Sequence, residues 1–242
     1  MKALILAAGR GTRLAPLTDD CPKPMLPIAG VPMVERILTA IAARTAIRKF
    51  VLVTGYRADV VRDHFGDGSR YGWQVSYVHQ DTPRGVGDAV RCAESELRDV
   101  PFLMTYGDIM LDPANYAKFA KTNWPDTPNV VGLNWVDDPY RGAAVYLDDT
   151  QCVTRIEEKP AQGTATTHWN NAGLFLFDQM IFEYTSRLKP SARGEYELPE
   201  AITAMIADGT TVQGLPLNGA WRDVGTLDDY TAINAEYGAS QS

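Results

Sequence analysis

The chain has 242 residues, 45% of them apolar, which suffices for a sizeable core and lies at the upper end of what one domain holds. A formal net charge of −7 excludes a general nucleic-acid or anionic-membrane binder, which needs a basic face, and no apolar run approaches the ~20 residues that span a bilayer. Three cysteines, Cys21, Cys92 and Cys152, show no CxxC spacing, which argues against a zinc or redox pair and for reduced thiols in a cytoplasmic protein.

Ala3-Leu4-Ile5-Leu6 is a short apolar run ending in Ala7-Ala8-Gly9, the pattern of a buried strand feeding a glycine-containing loop. It is too short for a secretory h-region and no cleavage site follows, so a soluble, unexported protein is expected. Pro32 to Ala43 carries Val34, Ile37, Leu38 and Ile41 at helical spacing. Phe50 to Val53 predicts a second buried strand and Ala58 to Phe65 a helix. Gln74 to His79 then reads as a strand, Val86 to Leu97 as a helix, and Phe102 to Tyr106 as a strand ending at Gly107-Asp108. This alternation is the rhythm of a parallel α/β sheet. Beyond Asp108 the pattern changes, with strands over Val130 to Val136, Gly142 to Leu147 and Val153 to Glu157 and a turn at Asp148-Asp149. Lys159 to Thr167 is a loop, Leu174 to Phe177 a strand, Ile181 to Leu188 and Leu198 to Ala207 helices, and Gly238 to Ser242 a frayed tail. A single α/β domain over residues 1–242 is expected, with an N-terminal parallel half for a nucleotide and a mixed C-terminal half for a second substrate.

Several nucleotide folds hold phosphate on backbone amides in a glycine-rich turn after their first strand. Gly9-Arg10-Gly11-Thr12-Arg13-Leu14 has leucine where the dinucleotide fingerprint has its third glycine, and no GxxxxGK[ST] occurs, so neither of those two motifs fits. The forked guanidinium groups of Arg10 and Arg13 suit phosphate oxygens. Lys23 lies in Pro22-Lys23-Pro24-Met25-Leu26-Pro27, where three prolines stiffen the chain and would place one ammonium reproducibly. Taken singly, these residues also fit turn glycines and a solvated lysine. Asp108 closes an apolar strand, at the sheet edge where open α/β folds bind ligands, and Asp223 lies far away in Trp221-Arg222-Asp223-Val224-Gly225-Thr226. Magnesium takes one or two carboxylates with phosphate and water, and two aspartates from distant segments supply that. A turn cap at Asp108 and a pairing of Asp223 with Arg222 or a lysine are the alternatives. His64, His79 and His168 show no metal spacing, and Tyr71, Trp73 and Tyr77 alternate as sheet-face residues do.

Leu6-Ala7-Ala8-Gly9-Arg10-Gly11-Thr12-Arg13-Leu14-Ala15-Pro16-Leu17-Thr18, followed by Pro22-Lys23-Pro24-Met25, resembles the signature of sugar-1-phosphate nucleotidyltransferases. The resemblance implies a Rossmann-like nucleotidyltransferase fold, with a mixed, mostly parallel central sheet flanked by helices. It also implies Mg²⁺-dependent joining of a nucleoside triphosphate, UTP or dTTP first, to a sugar 1-phosphate with release of pyrophosphate. On that pattern Leu6, Ala8, Gly9, Gly11, Thr12 and Arg13 line the triphosphate, and Arg13 and Lys23 act in catalysis, Lys23 at the α-phosphoryl group. Asp108 and Asp223 match the two metal-binding aspartates, and Asp108 also faces the second substrate. Glu158-Lys159-Pro160 resembles an element whose glutamate contacts sugar hydroxyls and whose lysine contacts the sugar phosphate, and Gly142 and Asn171 match further sugar-contacting positions. Gln80-Asp81-Thr82-Pro83-Arg84-Gly85 resembles the base-reading segment, with Gln80 and Gly85 at the base. Gly85-Val86-Gly87-Asp88 departs from the Gly-Thr-Ala frequent there, and Tyr106 replaces an asparagine or small apolar residue.

A cytidylyltransferase acting on a non-sugar phosphate such as phosphocholine shares the opening loop, but Glu158-Lys159-Pro160 and Asn171-Ala172-Gly173 argue against it. A non-catalytic regulatory subunit would have lost the loop arginine, the lysine or a metal aspartate, and all are present. Sixteen residues follow Thr226, too few for an appended β-helical acyltransferase, so one activity is expected. Monomer and homo-oligomer both fit.

Overall fold

The computed structural model describes residues 1–122 and 129–239. The first part holds β1 (Lys2–Ala7), a short hairpin of β2 (Pro27–Ile28) and β3 (Val31–Pro32), α1 (Met33–Arg44), β4 (Lys49–Thr54), α2 (Ala58–Phe65), β5 (Gln74–His79), α3 (Val86–Cys92), α4 (Glu94–Leu97) and β6 (Phe102–Tyr106). The second holds β7 (Ile109–Leu111), α5 (Ala114–Ala120), β8 (Val130–Trp135), β9 (Ala143–Leu147), β10 (Val153–Glu158), β11 (Trp169–Phe177), α6 (Met180–Arg187), α7 (Leu198–Ala207), β12 (Gln213–Pro216), β13 (Trp221–Asp223) and α8 (Leu227–Ala239).

Strands β5, β4, β1 and β6 lie side by side and parallel, with β1 between β4 and β6. β11 runs antiparallel to β6 through Leu174 to Phe177, and its N-terminal half extends on to pair with β8 and β9. β10 follows beside β9, and β12 runs parallel to β8. The sheet is therefore mixed, and one hydrogen-bonded surface runs through both halves of the chain. Along β1, Ala3 and Ile5 enter the core beneath α1, α2, α5 and α8, whereas Leu4 enters the core beneath α3, α6 and α7. A strand covered on both faces has no polar side to alternate with, so its apolar run is continuous.

The hairpin of β2 and β3, β7, α5, β12, β13 and α8 are not assigned in the sequence reading, and three further elements differ from it. The helix expected over Val86 to Leu97 is interrupted at Ala93, whose N–H donates to the Val90 carbonyl at 3.0 Å in a tighter, 3₁₀-like turn. β11 begins at Trp169 rather than Leu174, because β8 and β9 supply ladder partners for the polar Asn170 and Asn171. Gly142 lies outside β9, at the end of a 3₁₀ turn over Pro139–Arg141. The tail expected to fray still has Gly238 and Ala239 in α8, and residues 240–242 lie outside the described residues. Of the aromatic residues read as sheet-face, only Tyr77 lies in a strand; Tyr71 ends a 3₁₀ turn and stacks on Trp73 at 4.5 Å, Trp73 precedes β5 and meets Phe50 edge-on, and all three pack against the core.

Candidate active site

β1 delivers the chain to Ala8-Gly9 at the carboxyl end of the parallel strands, where open α/β sheets form their ligand crevice. The Leu6 carbonyl accepts from the Gly107 N–H at 2.9 Å, which fixes the end of β1 beside the end of β6. The loop turns at Gly11, whose φ of 75° favours glycine, into a 3₁₀ turn over Thr12–Leu14. Leu14 is buried beneath it while Thr12 and Arg13 remain exposed. A Cβ on Gly11 would stand 2.6 Å from Lys23 Cβ, so the loop rests directly on the lysine stem. Behind the loop, the Tyr56 N–H donates to the Ala8 carbonyl at 3.3 Å and its hydroxyl donates to the Asp19 carbonyl. Arg10 lies 5.0 Å over the Tyr56 ring and 3.7 Å from Asp19.

Asp108 and Asp223 meet through a two-stranded ribbon. β13 pairs antiparallel with β7, which sets Asp223 opposite Ile109, and the Val224 N–H donates to the Asp108 carbonyl at 3.2 Å. Lys23 Nζ lies 2.6 Å from Asp108 Oδ2 and 3.6 Å from Asp223 Oδ1. The Lys23 side chain is only 9% exposed, and an ammonium withdrawn from water needs charges of this kind against it. Arg222 pairs with Glu236 instead of its neighbour Asp223. Burial, and then the Asp108 charge, push the Asp223 carboxyl above the usual carboxylate range, with Lys23 and Arg13 offsetting part of the rise. Lys23 sets a buried cation against the two carboxylates, and Arg13 an exposed one. Among the described residues no three or more His, Cys, Asp or Glu side chains converge as a metal cage. The donor set is thus two aspartates open to ligand oxygens and water, which fits Mg²⁺ better than a metal that needs a full protein cage.

A second cluster gathers Gly142, Glu158, Lys159 and Asn171. The Lys159 N–H donates to the Gly142 carbonyl at 2.8 Å, and Lys159 sits in the left-handed region with φ 46°. Its side chain is exposed, with no ion-pair partner among the described residues. A Cβ on Gly142 would collide with Asn170 Oδ1, which accepts from the Ala143 N–H at 3.1 Å. Asn171 Oδ1 accepts from the Gly173 N–H at 3.0 Å, and the Tyr106 hydroxyl lies in hydrogen-bonding reach of Asn171. Burial, then the charges of Glu158 and Asp108, raise the Tyr106 phenol, so this ring stands between the two clusters. Trp221 Nε1 donates to the Ala172 carbonyl at 2.9 Å, tying the strand of Asp223 to the strand of Asn171.

Glu158 has a partner that the sequence did not disclose. Arg193 Nη2 lies 3.3 Å from Glu158 Oε1 and 2.7 Å from Glu197 Oε1, and Ser191 Oγ donates to the same Glu197 oxygen at 2.9 Å. Burial, and then Glu197, hold the Glu158 carboxyl above its usual range despite Arg193 and Lys159. Arg193-Gly194-Glu195-Tyr196-Glu197 alternates charges as a solvated loop would, and only the fold shows that it closes on Glu158. Gln80 and Gly85 form a third group beyond β5. The Gln80 amide is buried against α3, and the loop of Arg84 is fastened by the Tyr196 N–H at 2.7 Å. The Arg193–Glu197 segment therefore links the Gln80 group to the Glu158 group.

A model of the family described as "Nucleotidyl transferase" matches residues 2–240. The bifunctional protein GlmU of Methanococcus aeolicus is 34% identical over 234 residues, covering 97% of this chain and 54% of that protein. A glucose-1-phosphate thymidylyltransferase of Streptomyces griseus is 34% identical over 239 residues, covering 97% of this chain and 65% of that protein. The chain thus spans about half the length of its GlmU relatives. Among solved structures, a putative glucose-1-phosphate thymidylyltransferase from Bacillus anthracis superposes with a TM-score of 0.84 at 28% identity, over 98% of this chain and 94% of that one.

Proposed function

The chain belongs to the nucleotidyl transferase family, and from that membership we propose that it joins a nucleoside triphosphate to a sugar 1-phosphate, releasing pyrophosphate and a nucleotide sugar. The observation that carries the reading is the meeting of Lys23 with Asp108 and Asp223, three charges brought from three distant segments to the mouth of one sheet. A sugar-phosphate oxygen attacks the α-phosphorus in line, the bond to the pyrophosphate oxygen breaks, and no covalent enzyme intermediate is required. Two anions must approach each other, so the enzyme's contribution is position and charge neutralisation. The Gly9-to-Arg13 loop receives the triphosphate, with Arg13 and Lys23 set against its phosphates. Glu158 accepts from sugar hydroxyls, and Lys159, whose backbone N–H is held by the Gly142 carbonyl and whose exposed side chain has no ion-pair partner among the described residues, faces the sugar phosphate. Asp108 and Asp223 would hold Mg²⁺, which when bound supplies charge stabilisation at the phosphoryl oxygens.

The cytoplasm, where nucleoside triphosphates and free thiols coexist, is the compartment this reading assigns. No described helix is long and apolar enough to cross a membrane. The test is a pyrophosphate-release screen of triphosphates against sugar 1-phosphates with Mg²⁺. Release with at least one pair is expected. If no sugar phosphate reacts and phosphocholine does, the acceptor assignment fails.

A further inference from the structure

Asp88 occupies the first turn of α3, where an acidic residue ordinarily sits exposed to favour the helix dipole. Here it is 2% exposed. Its Oδ1 accepts from Arg91 Nη2 at 2.6 Å and from Arg84 Nη2 at 3.2 Å, and both guanidinium groups lie over the Tyr196 ring. Its Oδ2 accepts from Gln80 Nε2 at 2.9 Å. The same amide nitrogen donates to the Gly85 carbonyl at 3.3 Å.

A carboxamide carries two donors on nitrogen and acceptor sites on oxygen. Both groups facing the Gln80 nitrogen can only accept, so turning the amide over would set Oε1 against a carboxylate and a carbonyl. The amide therefore has one orientation. Gln80 Oε1 accepts from no described donor. It is not sealed in the interior either, since the buried side-chain atom without a partner among the described residues is Asn129 Nδ2. What Gln80 has left to offer a ligand is an acceptor.

We propose that Asp88 makes Gln80 a one-way reader of the nucleobase, admitting a pyrimidine with N–H at ring position 3, uracil or thymine, and rejecting cytosine, whose nitrogen there is itself an acceptor. The proposal rests on the nucleotidyltransferase reading with Gln80 at the base. Asp88 is a positioning residue, acting through Gln80 and held in turn by the two arginines. It makes the departure at Gly87-Asp88 a source of base choice.

Calorimetric binding of UTP, dTTP, CTP and N3-methyl-UTP, without acceptor, tests it on the wild-type chain. UTP and dTTP are expected to bind roughly 10- to 100-fold tighter than CTP and N3-methyl-UTP. Asp88→Asn keeps its oxygen on the arginines and turns an NH₂ toward Gln80, leaving the longer contact to the Gly85 carbonyl as what still opposes turning the amide over, so that Gln80 can present its own NH₂ outward. The UTP-to-CTP ratio should fall to one or invert, with CTP affinity rising. Gln80→Ala should lose the ratio without that gain. Equal binding of UTP and CTP by the wild type, or an Asp88→Asn variant that weakens every triphosphate by one factor, overturns the proposal. A chain that binds none of them loses the nucleotide reading as well. Discrimination in binding without turnover upholds the base reading and removes only the catalytic one.

Discussion

Lys23 is the side chain on which the glycine loop and the two aspartates meet, so its ammonium cannot be lost without loosening all three. Lys23→Ala and Asp108→Asn are each expected to lower kcat roughly 100- to 1000-fold, the usual loss for one electrostatic contact to a transition state. Far-UV circular dichroism should stay unchanged, and near wild-type turnover would take that residue out of the mechanism. Glu158 makes a different kind of prediction. Its carboxyl titrates above the ordinary range because of burial and Glu197, so its charge works against the folded state. The associated stability is full below the unfolded value of about 4.3 and is lost as pH rises through the raised value. Glu158→Gln, always neutral, should therefore melt above the wild type at pH 8, and the gap should close as the pH falls toward about 4. A gap independent of pH would refute that account. The motif residues Lys23, Asp108, Glu158 and Asp223 were legible because each stands in a recognisable local string. Arg193 and Asp88 were not, because a charged residue in a loop or first helical turn looks solvated until the fold covers it.

The elements that assemble the site are the ones least visible in sequence. β7 and β13 have three residues each, too short to display a period, yet their register is what sets Asp223 beside Asp108. β11 hides its first half in the polar pair Asn170-Asn171, and the Asn170 amide is spent inside the sheet. Asn170 Nδ2 donates to Asn134 Oδ1 at 2.9 Å and its Oδ1 receives the Ala143 N–H. The strands β1, β4 and β6, by contrast, were readable as apolar runs almost to the residue, and β5 was placed at its exact bounds, Gln74 to His79. Because Gly142 packs against that Asn170 oxygen, Gly142→Ala must displace either the start of β9 or the amide network. Overpacking of this kind costs about 1–3 kcal/mol, a fall in Tm of about 2–12 °C for a chain of this size. The KM for the sugar 1-phosphate should rise well beyond that for the triphosphate, because the disturbance passes through the Lys159 N–H and not through the glycine loop. Equal rises in both would show that the sugar half is not where Gly142 acts.

At the scale of the molecule, the α/β class followed from continuous apolar strands, but the order of strands did not, since no local pattern says that β11 returns antiparallel to β6. That return is what joins the halves. One core holds Ala3 and Ile5 with Leu174, Val224 and Ile233, and the other holds Leu4 and Val51 with Phe175 and Ile202. Neither half can leave without exposing apolar surface of the other, so we propose that the two halves unfold as one unit. Calorimetry should then show a single transition with calorimetric and van't Hoff enthalpies equal. Two resolved transitions would divide the chain into separate domains. The ligand response follows from the same continuity. A triphosphate bound only at the N-terminal loop stabilises the whole fold by about 2.7 kcal/mol at 100 times its Kd, which is about 5–11 °C for a chain of this size. If the halves are coupled as their shared cores require, that rise moves the entire transition; a shift confined to part of the heat absorption would mean that β6 and β11 part before the molecule melts.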